Sequence, residues 1–132
     1  MKNLVYTFLF VLGAIFNSNA ESSIVVAPTN TVTNNYVLYP TTNVYTFLKL
    51  DTRNGKIWQL QYSMDENEFE VALNSRELVT NGKPGQFALY PTSNLWTFIL
   101  LDTINGDTYH VQWSQDAEQR VVVPIKSINS IF

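Results

Sequence analysis

Residues 39–65, YPTTNVYTFLKLDTRNGKIWQLQYSMD, recur without a gap at 90–116 as YPTSNLWTFILLDTINGDTYHVQWSQD, with 14 of 27 positions identical. A stretch that repeats its turns, its alternation and its aromatics at one offset is a single supersecondary unit used twice. Neither copy has a helical period over a useful length. Each offers four short alternating segments instead, at 35–39, 44–51, 56–63 and 68–73, and again at 86–90, 95–102, 107–114 and 120–123. Pro40 and Pro91 close the first segment of each copy, and Asp-Thr-x-Asn-Gly separates the second from the third at 51–55 and 102–106. Asn-Gly in that place supplies the positive φ of a tight hairpin, most simply a type I turn with a glycine bulge, and Asp51 and Asp102 are placed to accept hydrogen bonds from turn amides.

A turn that pairs Leu50 with Ile57 sets Lys49 opposite Trp58, Phe47 opposite Leu60 and Tyr45 opposite Tyr62, because cross-strand neighbours share a side of the sheet. The same register in the second copy sets Leu100 opposite Tyr109, Phe98 opposite Val111 and Trp96 opposite Trp113. That aromatic side is expected to be the core face in both. The other side is mixed, with Thr46 opposite Gln61 and Thr97 opposite Gln112, either bonded across the strands or lining a shallow polar groove. In the fourth segment Phe69, Val71 and Leu73 alternate with Glu68 and Glu70, the pattern of a charged sheet edge that resists pairing with a second molecule.

Two four-stranded antiparallel units, each with one apolar face, bury most by packing those faces together. The expected fold is all-β, a pseudo-twofold eight-stranded sandwich or barrel. A propeller uses the same four-stranded unit but needs about four of them, so two repeats reach it only by oligomerising. Repeat one covers 36–73, a linker 74–85, and repeat two 87–125; Ile24, Val25 and Val26 can add one more short strand.

The N-terminus has Lys2, an apolar run over 4–16, then Ser18-Asn19-Ala20, the order of a cleavable export signal. The run is too short to span a bilayer comfortably. Residues 1–20 are therefore read as a signal peptide cleaved near Ala20, leaving a single β domain over 21–132 in the periplasm or outside the cell. Without Lys2 the charge changes from -3 to -4, since 7 of the 8 Lys and Arg remain against 11 Asp and Glu. Such a chain lacks the basic face that nucleic acid requires. With no cysteine, its stability rests on core and strand ladders rather than disulfides, and thiolate zinc is excluded.

The hairpin Tyr-Pro-Thr-x-Asn, then Leu-Asp-Thr-x-x-Gly, then an aromatic and Val-Gln-Trp or Leu-Gln-Tyr, resembles that of short exported two-repeat bacterial proteins. The resemblance covers about 36–125. It implies the fold and brings no established activity and no catalytic residue.

Catalytic groups are few. A Ser-His-Asp arrangement needs an oriented base, and His110 is the one histidine, at the strand position of Gln59 in the first copy. Paired carboxylates suffice for glycoside hydrolysis, which makes the repeated Asp51 and Asp102 the one enzymatic candidate, although turn capping explains both. The acidic group at Asp65, Glu66, Glu68 and Glu70 lacks the ordered spacing of a calcium loop. No metal site and no cofactor is expected. Aromatics can stack on sugars or anchor a protein, and the candidate binding residues are Tyr39, Tyr90, Trp96, Thr97, Leu100, Ile104, His110 and Gln112. The leading expectation is a non-enzymatic module that recognises a protein or peptide, with glycan as the alternative ligand. The repeated Tyr-Pro-Thr-x-Asn loops are its first surface of interest.

Overall fold

The computed structural model describes residues 34–128. The expected signal segment over 1–20 and the expected additional strand at 24–26 lie outside them. Within them are eight strands, one three-residue 3-10 turn and no α-helix. Sheet one holds β1 (Tyr36–Pro40), β2 (Thr46–Asp51), β3 (Ile57–Gln61) and β4 (Phe69–Ala72). Sheet two holds β5 (Phe87–Pro91), β6 (Thr97–Asp102), β7 (Thr108–Gln112) and β8 (Val121–Pro124). Each is an antiparallel meander in chain order, so β1, β4, β5 and β8 are edges.

The hairpin register is the one the turns dictate. Leu50 pairs with Ile57 and Phe47 with Leu60, and 51 residues on Leu101 pairs with Thr108 and Phe98 with Val111. Gly55 and Gly106 take φ of 75° and 78° in the Asn-Gly turns, the left-handed conformation that lets each hairpin close. The other repeated loop is closed by its own side chains. Thr41 Oγ1 donates to Thr46 O and accepts from the Asn43 amide, and Asn43 Oδ1 accepts from the Tyr45 amide. Thr92, Asn94 and Trp96 repeat those bonds. The repeated Thr-x-Asn is thus a loop-building device.

Which side of each sheet is buried differs between the repeats. Sheet two buries the expected face: Phe98, Leu100, Val111 and Trp113, with Phe87 and Leu89 from β5. Sheet one buries the opposite one, with Tyr39, Leu48, Leu50 and Ile57 beside Thr46 and Gln59. Its aromatic side, expected as core, is instead an outer face where Phe47, Trp58 and Leu60 are half-buried and Tyr45 and Tyr62 exposed. Equivalent positions therefore swap environments. Tyr39 is 2 % exposed and Tyr90 45 %; Leu38 is 52 % exposed and Leu89 0 %; Tyr62 is 47 % exposed and Trp113 1 %. A twofold axis would give each of these pairs one environment, so the sheets meet through unlike faces.

Lys49 explains the choice. It stands where Leu100 stands in the second repeat, and burying an ammonium there without full pairing costs several kcal/mol. On the outer face it bridges to Glu70 and lies 4.8 Å from the Trp58 ring centroid instead.

The sheets stack with like ends together. The Tyr39 hydroxyl of β1 accepts from the Leu89 amide of β5 at 3.3 Å. Gln59 of β3 holds Ser114, just after β7, by both of its amide atoms, donating to Ser114 O at 3.0 Å and accepting from the Ser114 amide at 3.2 Å. The linker seals the turn end, where Asn74 accepts from the Ile57 amide, the Leu78 amide donates to Asn54 O, and Thr52 O accepts from the Phe87 amide.

Candidate binding groove

Because like ends stack, the two Tyr-Pro-Thr-x-Asn loops come side by side at one end of the molecule. Between them lies a groove of about 370 Å3, lined by Pro40 and Thr42 from the first loop, Asn94 and Leu95 from the second, and Thr97 and Phe98 of β6. Thr42 Oγ1 reaches Leu95 O at 3.4 Å across it. The loops raise large apolar side chains around this end, Val44, Tyr45, Leu95 and Trp96 all being exposed. Trp96 lies on the buried Trp113 with ring centroids 4.6 Å apart, and Trp113 Nε1 donates to Leu95 O. The exposed indole is thereby held in place by a core residue.

The residues expected to bind are distributed over three places. Thr97 lines the groove, and Trp96 is exposed next to it in sequence, packed on Trp113. Tyr90, His110 and Gln112 share the outer face of sheet two, where Tyr90, Ile99 and His110 form one cross-strand row and Thr97 and Gln112 the next. Ile104 is exposed in the β6–β7 turn, at the end of β6 away from the groove. Tyr39 and Leu100 are corrections: both are core residues, Tyr39 because sheet one buries the opposite face and Leu100 because sheet two buries its own, and neither presents a surface to a partner. Pro40, Thr42, Asn94 and Leu95 complete the groove. The repeated loop motif points to them, but stacking of the sheets is needed to bring them together.

The Thr-Gln pairs stand opposite each other in both repeats without bonding across the strands. Thr46 Oγ1 and Gln61 Oε1 are buried with no hydrogen-bond partner. Thr97 Oγ1 shares a hydrogen with Thr92 Oγ1, and Gln112 Nε2 donates to Gln119 O.

Asp51 and Asp102 are turn caps. Asp51 takes bonds from the Arg53 amide and guanidinium, the latter 2.8 Å from Oδ2. Burial pulls its carboxyl upward, but the bonds and charge of Arg53 outweigh that and hold it below its ordinary value. Asp102 takes bonds from the Ile104 and Asn105 amides and the side chains of Asn105 and Gln86, which lower it in the same way against the upward pull of burial. A glycosidase general acid needs the reverse shift. The consequence for folding has a definite sign. With folded values below the ordinary 3.8, both carboxylates stabilise the fold above that pH, and the gain is lost progressively as pH falls from there through the lower folded values. Asp102→Ala is expected to cost roughly 2–3 kcal/mol near neutrality. Urea unfolding at descending pH should show the difference from wild type shrinking below about pH 4.

No group of three or more His, Cys, Asp or Glu side chains among the described residues is arranged to hold a metal ion. None of their helices is long and apolar enough to cross a membrane. Comparison with protein-family models, curated proteins and solved structures finds no match to this chain.

Proposed function

We propose that the chain is an exported, non-enzymatic binding module that takes a protein or peptide segment at the groove between its two Tyr-Pro-Thr-x-Asn loops. The observation that carries this reading is a preformed groove of about 370 Å3 between the two loops, lined by Leu95, with Val44, Tyr45 and Trp96 exposed on the same loops. Apolar and aromatic side chains on a rigid platform are what protein recognition uses as anchors. The platform is rigid because Trp96 rests on Trp113 and each loop is bonded to itself. Export is supported by the order of charged, apolar and small residues over 2–20.

A glycan is the second reading, favoured by the Thr42 hydroxyl and the Asn94 amide in the groove lining and by the exposed Trp96 indole on the same loop as Asn94. The two separate by experiment. Trp96 packs on Trp113 but is itself exposed, so Trp96→Ala is expected to leave a folded protein. Capture from native envelope and culture supernatant should yield one stoichiometric protein partner that this variant loses at least tenfold. Retention of the partner by Trp96→Ala would remove the groove from the account, and recovery of glycan alone would establish the second reading.

A further inference from the structure

We propose that the chain assembles head to tail with further copies of itself, the outer face of sheet one in one copy covering the outer face of sheet two in the next, and that the series closes into a ring. This stands independently of the groove. Each outer face is the positional counterpart of a face that is already core in the other repeat. On sheet two, Tyr90, Thr97, Ile99 and Leu101 stand where Tyr39, Thr46, Leu48 and Leu50 are buried. On sheet one, Leu38, Phe47, Leu60 and Tyr62 stand where Leu89, Phe98, Val111 and Trp113 are buried, and Lys49, which stands where Leu100 is buried, enters the joint already paired with Glu70.

The two kinds of face have mated once within the chain, and the same mating uses the two that remain. Burial in one repeat explains why a position is apolar there; it does not explain why its exposed counterpart stays apolar. A second copy does. The outer face of sheet one also carries a hollow of about 450 Å3 against Leu38, Phe47, Leu60 and Phe69, where the joint seats the Tyr90 and Ile99 row. The intramolecular bonds supply its polar contacts. As Tyr39 accepts from the Leu89 amide, Tyr90 accepts from the Leu38 amide of the neighbour. As Gln59 holds Ser114 twice, His110 holds Ser63 of the neighbour, but by one bond, since a neutral imidazole nitrogen cannot both donate and accept.

A joint between unlike faces is heterologous, and repeating it gives a closed ring or an open filament. Four-stranded meanders stacked face on face with like ends together are the blades of a propeller, which closes with about four to eight of them. At two sheets per copy, closure takes about two, three or four copies. Every joint sets the 91–96 loop of one copy beside the 40–45 loop of the next and so repeats the groove.

Sedimentation velocity of the exported chain over a wide concentration range is expected to show one closed species of two to four copies. Leu38→Arg and Tyr90→Arg each alter a half-exposed side chain on one outer face, and each variant alone is expected to be a monomer with wild-type circular dichroism and a single cooperative melting transition, below that of the assembled wild type. Mixed one to one, they should form a dimer through the one joint left intact. His110→Gln restores the second amide bond and should tighten association about fivefold. A wild-type chain monomeric at every concentration would overturn the proposal. So would either Arg variant dimerising alone, which signals like faces in contact, or a mixture of folded variants that stays monomeric.

Discussion

Trp113→Ala is expected to remove about 3–5 kcal/mol of folding stability, whereas Tyr62→Ala, at the equivalent position of the first repeat, should cost under about 1 kcal/mol. Trp113 is 1 % exposed, packed in the core of sheet two and bonded through Nε1 to Leu95 O. Its truncation loses the transfer energy of an indole, opens a cavity that the neighbouring strands cannot close, and leaves Leu95 O without its donor. Tyr62 is 47 % exposed and touches only the rings of Tyr45 and Phe47 among aromatic neighbours. Its removal leaves a notch open to water rather than a cavity. Urea unfolding of both variants in a Leu38→Arg background, which keeps association out of the measurement, checks the contrast. Equal losses would mean that the repeats bury the same face.

Gly82→Ala is the second large effect, and its origin is steric. An added Cβ would lie 1.6 Å from the carbonyl oxygen of Arg53. No side chain can yield there, because the obstacle is backbone in the β2–β3 turn. The linker must lift away from that turn, putting at risk the Leu78 amide bond to Asn54 O and the side chains that cover Gly55. A loss of about 3 kcal/mol or more is expected. For a domain of this size that lowers Tm by roughly 12 °C or more. Gly106→Ala is the control: nothing lies within 4 Å of its added Cβ, so it meets only the cost of a φ of 78°, about 1–2 kcal/mol. Similar melting shifts for the two variants would show that the linker does not bear on the turn.

Much of the fold is legible in residues that act locally. Asn-Gly and the capping aspartates set the turns, the turns set the register, and the register places Leu50 against Ile57 and Leu101 against Thr108. The choice of buried face is not local. The segment TFLKL is apolar on both sides except at Thr46 on one and Lys49 on the other, so alternation alone names two faces without ranking them. Two residues did carry the decision. Lys49 replaces the Leu100 of the second repeat, and Glu70, two residues along from the cross-strand partner of Lys49's own partner and so on the same face, supplies the charge that keeps it at the surface. Duplication hides this, because aligning the repeats invites the same face for both.

The groove was half legible. The repeated Tyr-Pro-Thr-x-Asn loops mark themselves as surface, but which loop neighbours which depends on the sheets stacking with like ends together. Tyr39 and Leu100 show the limit from the other side. Each looks as available as its counterpart in sequence, and the inversion places Tyr39 in the core while Tyr90 is exposed, and Leu100 in the core while Lys49 is not.

Tyrosine accessibility tests that inversion most directly. In the Leu38→Arg chain, kept monomeric, mild nitration read out by peptide mass spectrometry should modify Tyr90 readily and leave Tyr39 protected until the protein unfolds. Equal reactivity of Tyr39 and Tyr90 would contradict the packing of unlike faces, and with it the proposal that the free faces are made for each other.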